Sequence, residues 1–141
     1  MSSRLYQNIR ERHGLAYSVY SYATLLSDTG LFGVYLGTDR KSIADALELV
    51  HKELDRLKRK PVPKAELDRT KSQIKGTLML GLENMSSRMI RLGSGELYLE
   101  SYIALDTIIS NIDAVTSESI QRVASDLFNE SSFSTVVIRP A

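Results

Sequence analysis

The stretch Ile9-Arg10-Glu11-Arg12-His13-Gly14-Leu15-Ala16-Tyr17 decides the reading of this chain. Its first half is a charge cluster, Arg10-Glu11-Arg12-His13, that stops at Gly14. Glycine lacks the Cβ that clashes in the left-handed conformation, so it commonly closes a helix. From Leu15 onward the residues are rich in β-branched and aromatic types, which suit a pleated strand. The stretch predicts the end of a helix, a glycine stop and the start of a strand. Arg10 and Tyr17, seven residues apart, then flank the junction. A sharp helix-to-strand turn can aim a guanidinium and a phenol at one volume of space. The alternative is that Arg10 is a solvated helix-end charge and Tyr17 a half-buried strand residue.

Working outward, residues 3–13 read as a helix with Leu5, Ile9 and the stem of Arg12 near one face. Ser2 or Ser3 is its expected cap. Residues 15–26 read as the best strand, with Leu15, Tyr17, Val19, Ser21, Ala23 and Leu25 on one face. Both faces are semi-apolar, so each is expected to be at least partly covered. Ser27-Asp28-Thr29-Gly30 is turn chemistry, and Leu31 to Leu36 is a second strand. Two strands joined by so short a turn make an antiparallel hairpin.

Residues 40–59 carry an apolar stripe at helical spacing, Ile43, Ala46, Leu47, Val50, Leu54 and Leu57, with Asp39 as the expected cap. Pro61-Val62-Pro63 ends that helix. Further helices are expected over 64–84, 86–97 and 105–112, and a last one begins after Thr116. Phe133 to Ile138 reads as a third strand. The fold class is α+β: an antiparallel hairpin plus one later strand, packed against several helices. The expectation is a single, truncated domain over residues 1–141, with a strand and part of a helix lost upstream, because so few strands leave sheet edges unpaired.

Composition narrows the chemistry. With 18 basic and 17 acidic residues the net charge is +1, which makes no electrostatic case for nucleic acid or an anionic membrane. There is no cysteine, so no disulfide framework and no thiolate nucleophile. No apolar run has the length of a membrane span, and Met1 to Leu5 has no apolar signal region, so either the location is cytoplasmic, which is favoured, or a signal was lost with a missing upstream part. The two histidines, His13 and His51, show no metal-ligand spacing, and no phosphate-cradling glycine loop occurs. The run Arg56-Leu57-Lys58-Arg59-Lys60 reads as a solvated helix end.

The segment from Met1 to Val19, with its Arg-Glu-Arg-His-Gly-Leu-Ala-Tyr core, resembles the second domain of the pitrilysin and mitochondrial-processing-peptidase family. The resemblance continues through Ser27 to Gly33, through Ser86-Ser87-Arg88-Met89-Ile90-Arg91-Leu92-Gly93, and to Asn111-Ile112-Asp113-Ala114-Val115-Thr116. It covers the chain in order. It implies a zinc metalloendopeptidase as the intact parent, of the inverted His-x-x-Glu-His kind, with two related domains enclosing a chamber. The zinc ligands and catalytic glutamate of the family sit on the first domain. The resemblance assigns to Arg10 and Tyr17 the arginine and tyrosine that reach across the chamber. The tyrosine hydroxyl donates to the carbonyl oxygen as it becomes an oxyanion, and the arginine holds a substrate backbone carbonyl.

The zinc motif itself is missing from this sequence, so the 141 residues alone are expected to bind no zinc and cleave nothing. The expected partners are a peptide substrate and the N-terminal zinc-binding domain of the same or a partner chain. The alternative within the family is a non-catalytic partner subunit or scaffold. Unpaired edges also predict a homodimer or swapped oligomer for the isolated piece. Sedimentation should show concentration-dependent association, and a monomer at all concentrations would count against it.

Overall fold

The computed structural model describes residues 3–139. The element order is a π-helix (Tyr6–Arg12), β1 (Ser18–Leu25), β2 (Gly30–Gly37), α1 (Ile43–Arg59), α2 (Lys64–Gly81), α3 (Met85–Leu99), α4 (Leu105–Ala114) and α5 (Ser117–Leu127), with short 3-10 turns at Arg40–Ser42 and Glu130–Ser132. This is the expected α+β class. The chain divides into two compact units, Met1–Lys60 with Arg122–Ala141 and Pro61–Gln121.

In the first unit β1 and β2 form the antiparallel hairpin, paired from Ser18↔Gly37 to Leu25↔Gly30. The turn closes with Leu26 N–H donating to the Thr29 carbonyl at 2.9 Å. Strand alternation puts Val19, Leu36 and Val34 on the inner face, where they meet Ile9, Ala46, Val50, Leu54 and Ala124. Phe32 extends that face against the ring of Phe128, 5.2 Å between centroids. α1 presents Ala46, Val50 and Leu54 to this core, as its apolar stripe predicted. Ile9 is fully buried and is the largest side chain so enclosed among the described residues.

The outer face of the hairpin is aromatic and open. Tyr20 stacks on its cross-strand partner Tyr35, 5.0 Å between centroids, and tilts against Tyr22 at 6.3 Å. A Cβ at Gly33 would run into the Tyr22 ring, so the glycine leaves room for the tyrosine to lie across the opposite strand. The expectation that both faces of β1 are covered is therefore corrected: Tyr20, Tyr22 and Tyr35 are all exposed. The third strand expected over Phe133 to Ile138 is likewise corrected. Those residues are irregular, and the sheet has two strands among the described residues. A strand exists only as one side of a hydrogen-bonded ladder, and alternation along 133–138 names no partner.

The second unit is helical. Asn84 caps α3, its side-chain oxygen accepting from Ser86 N–H at 2.8 Å and Ser87 N–H at 3.3 Å. Thr116 and Ser119 satisfy each other's backbone N–H at the start of α5, in the manner of a capping box. The Glu118 carboxyl is held below its ordinary range by its own backbone N–H and the Thr116 hydroxyl. Lys75 pairs with Asp113 at 2.7 Å, tying α2 to α4. No residue from 61 to 121 is buried, and Leu80, Met85, Met89, Leu97 and Tyr98 are exposed. The expected cap at Asp39 is also not used: its side chain makes no capping hydrogen bond, and only its backbone carbonyl receives Ser42 N–H.

Ile9 joins the first helix to the hairpin and α1 at the centre of the first unit's core. Replacing it with alanine should lower unfolding stability by about 3 kcal/mol, the cost of a deep cavity plus lost transfer energy. Denaturant titration of the two forms checks this, and a loss of only a few tenths would mean the site collapses freely.

Candidate functional site

The junction between the first helix and β1 is built almost wholly from backbone bonds. The helix is wound as a π-helix over Tyr6–Arg12, a rare form. Ser3 Oγ accepts from Tyr6 N–H at 3.2 Å near its start. Ser2, the other expected cap, lies outside the described residues. At the far end Gly14 takes a left-handed backbone, φ +62°. Gly14 N–H then donates to the Arg10 carbonyl at 3.1 Å and Leu15 N–H to the Ile9 carbonyl at 2.9 Å. This is the nested pair of a Schellman closure, each bond widened by one residue to match the π winding. The Thr38 hydroxyl donates to the Leu15 carbonyl, and Tyr17 N–H donates to the Gly37 carbonyl at 2.8 Å. The backbone from Ile9 to Tyr17 is thereby tied to the core and to the end of β2.

Side chains fasten the helix from the other side. Asn8 Nδ2 donates to Glu53 Oε1 on α1 at 2.9 Å, and Glu53 is buried. His13 Nδ1 donates to the Asn8 carbonyl at 2.7 Å. Arg56 approaches the same Glu53 oxygen at 3.7 Å.

Against this fixed frame the two predicted residues point outward. Tyr17 is 73% exposed, which removes the half-buried strand reading. Tyr17 also lies just before β1 rather than within it. Arg10 is exposed on the last turn of the helix, its guanidinium 5.0 Å from the centre of the Tyr6 ring. Among the described residues no carboxylate pairs with Arg10 and its side chain donates no hydrogen bond. The arrangement offers hydrogen-bond donors to a ligand.

The donor set does not fit a metal. Among the described residues no group of three or more His, Asp, Glu or Cys side chains lies close enough to hold one. His13 is engaged with Asn8, and His51 meets Phe133 edge-on at 5.1 Å. No helix among the described residues is long and apolar enough to cross a membrane.

Three contributors were missed in the sequence. Glu53 stands 45 residues from Asn8, and neither position carries a periodic signal. Thr38 sits beyond the hairpin. Tyr6 was visible in principle, since an aromatic four residues before an arginine on a helix is a known pairing distance.

What the fold and site define is an α+β domain that presents donors beside an open surface and carries no metal cluster among its described residues. Residues 1–74, just over half of the 141, match the peptidase M16 inactive domain, and this chain belongs to that family. An uncharacterized zinc protease of Bacillus subtilis is 41% identical over all 141 residues, which are 34% of its own length. One from Streptomyces coelicolor is 39% identical over 127 residues, 90% of this chain and 28% of its own. The chain thus spans about a third of the length of the curated relatives it matches. Among solved structures, a protease from Helicobacter pylori shares the fold with a TM-score of 0.83, at 23% identity over 93% of this chain and 32% of that one. A chain of complex III2 from Candida albicans shares it with a TM-score of 0.78, at 24% identity over 89% and 30%.

The closure at Gly14 generates a direct test. A Cβ there meets nothing within 4 Å, so alanine would suffer only from the left-handed backbone. Gly14→Ala should cost about 1–2 kcal/mol and Gly14→Asn distinctly less, because asparagine tolerates that region. Thermal melts of the three forms read the difference, and equal melting points would show that the backbone there is not constrained.

Proposed function

We propose that this chain is the C-terminal, substrate-binding part of a zinc metalloendopeptidase that acts on peptides or small unfolded proteins in the manner of a processing peptidase. The zinc belongs to a domain outside these residues, in the same or a partner chain. The fragment alone is inactive. The observation that carries the reading is the pairing of a hydrogen-bonded backbone from Ile9 to Tyr17 with two exposed donors, Arg10 and Tyr17. Membership in the inactive-domain family and resemblance to zinc proteases support it.

The roles follow from charge and hydrogen-bond capacity. The Tyr17 hydroxyl donates to the peptide carbonyl oxygen as negative charge develops on it. Donors already aimed at such an oxygen, in a site that excludes water, contribute about a hundredfold to a thousandfold in rate. The Arg10 guanidinium, planar and always charged, holds a neighbouring backbone carbonyl of the peptide. The exposed apolar side chains of the second unit, Leu80, Met85, Met89 and Leu97 among them, are the surface on which the rest of the parent packs.

A second reading has this chain as a partner subunit or scaffold. The match to a domain described as inactive favours it. The two readings part on the parent protein. Tyr17→Phe in the intact polypeptide should lower kcat about a hundredfold with little change in KM, as for a contact made in the transition state. An unchanged kcat would remove Tyr17 from the reaction and leave the scaffold as the better account.

A further inference from the structure

We infer that Tyr6 is the positioning residue for Arg10: its ring is the platform that fixes where the guanidinium stands while leaving the guanidinium's donors open to a peptide carbonyl. This rests on the substrate-contact reading of Arg10 given above. Tyr6 is only partly exposed and packs against the core that contains Leu5 and Ile9, so the ring is anchored from below. Arg10 lies over it, 5.0 Å from the ring centre. In a helix closed by i→i+5 bonds, positions four and five apart share a face, and helical side chains lean back toward the N-terminus. The arginine therefore reaches back onto the ring one turn below.

The choice of platform has a chemical consequence. A carboxylate would hold the guanidinium just as firmly, but it would occupy two of its five N–H donors. An aromatic face attracts the cation through the ring quadrupole and takes none of them. The same chain shows the other use of this pairing. Arg91 lies 5.9 Å from the Tyr102 ring centre, but its Nη2 also donates to the Ile103 carbonyl at 2.6 Å. Arg91 is tied into its own fold. Among the described residues Arg10 makes no such bond, and its side chain is exposed.

The test uses the intact parent enzyme and a peptide that it cleaves, with Tyr6→Phe, Tyr6→Leu, Arg10→Ala and the Tyr6→Leu/Arg10→Ala double variant. Two quantities are read: steady-state kcat and KM, and the dissociation constant of the peptide with the enzyme stripped of metal. Phenylalanine keeps the ring face and should match wild type within about twofold. Leucine keeps apolar bulk against the core but no quadrupole. It should raise KM and the dissociation constant about fivefold with kcat little changed. The double variant should be no worse than Arg10→Ala alone, because the platform has nothing left to position. Wild-type binding by Tyr6→Leu would overturn the inference, as would losses that multiply in the double variant. A Tyr6→Phe loss as large as that of Tyr6→Leu would overturn it too, since the hydroxyl rather than the ring would then matter. Wild-type behaviour of Arg10→Ala would remove the substrate-contact reading itself, a result distinguishable from all of these.

Discussion

The left-handed backbone at Gly14 is the constraint on which the rest of the first unit depends. It turns the chain from the helix that ends at Arg12 toward the strand that begins at Ser18. The two backbone bonds that follow, from Gly14 and Leu15 to Arg10 and Ile9, fix the helix end. Ile9 can then sit fully enclosed between the hairpin and α1 while Arg10, the next residue, faces solvent. Burial of one neighbour thus sets the direction of the other.

The dense hydrogen bonding of this junction contrasts with what surrounds it. One face of the hairpin is packed and the other displays a tyrosine cluster. The helices of the second unit keep their apolar stripes on the surface. A fold that spends its buried contacts on a short helix, a hairpin and α1 holds one local geometry firmly and leaves broad apolar surface to others. That is the expected character of a domain whose chain is about a third of its relatives' length. The Asn8–Glu53 bond fits the same division. It fastens the first helix to α1 through a buried carboxylate, where an unpaired charge would be costly.

Much of this was legible from residue patterns. The stop at Gly14, the hairpin around Ser27 to Gly30 and the stripe of α1 follow from conformational preference and periodicity, and all are local properties. Capping at Thr116 was equally local. The errors arose where the outcome depends on distant partners. Whether Phe133 to Ile138 pairs as a strand depends on a neighbouring edge, and whether the outer face of β1 is covered depends on what packs there. The π winding was hidden for a related reason: residues that form i→i+4 bonds also form i→i+5 bonds, so residue types alone do not separate the two. Of the site, the helix-stop junction with Arg10 on one side and Tyr17 on the other was readable from the glycine, whereas the clamp from Glu53 was not, since nothing in residues 1–17 names position 53.

The central claim is that this domain lends two donors to a peptide held at a site it does not itself complete. A structure of the intact parent, stripped of metal so that nothing is cleaved and bound to a substrate peptide, tests this most directly. The account predicts the Tyr17 hydroxyl and the Arg10 guanidinium each about 3 Å from a peptide backbone oxygen, the hydroxyl at the carbonyl of the bond to be cut. A peptide seated with neither group in reach would contradict it.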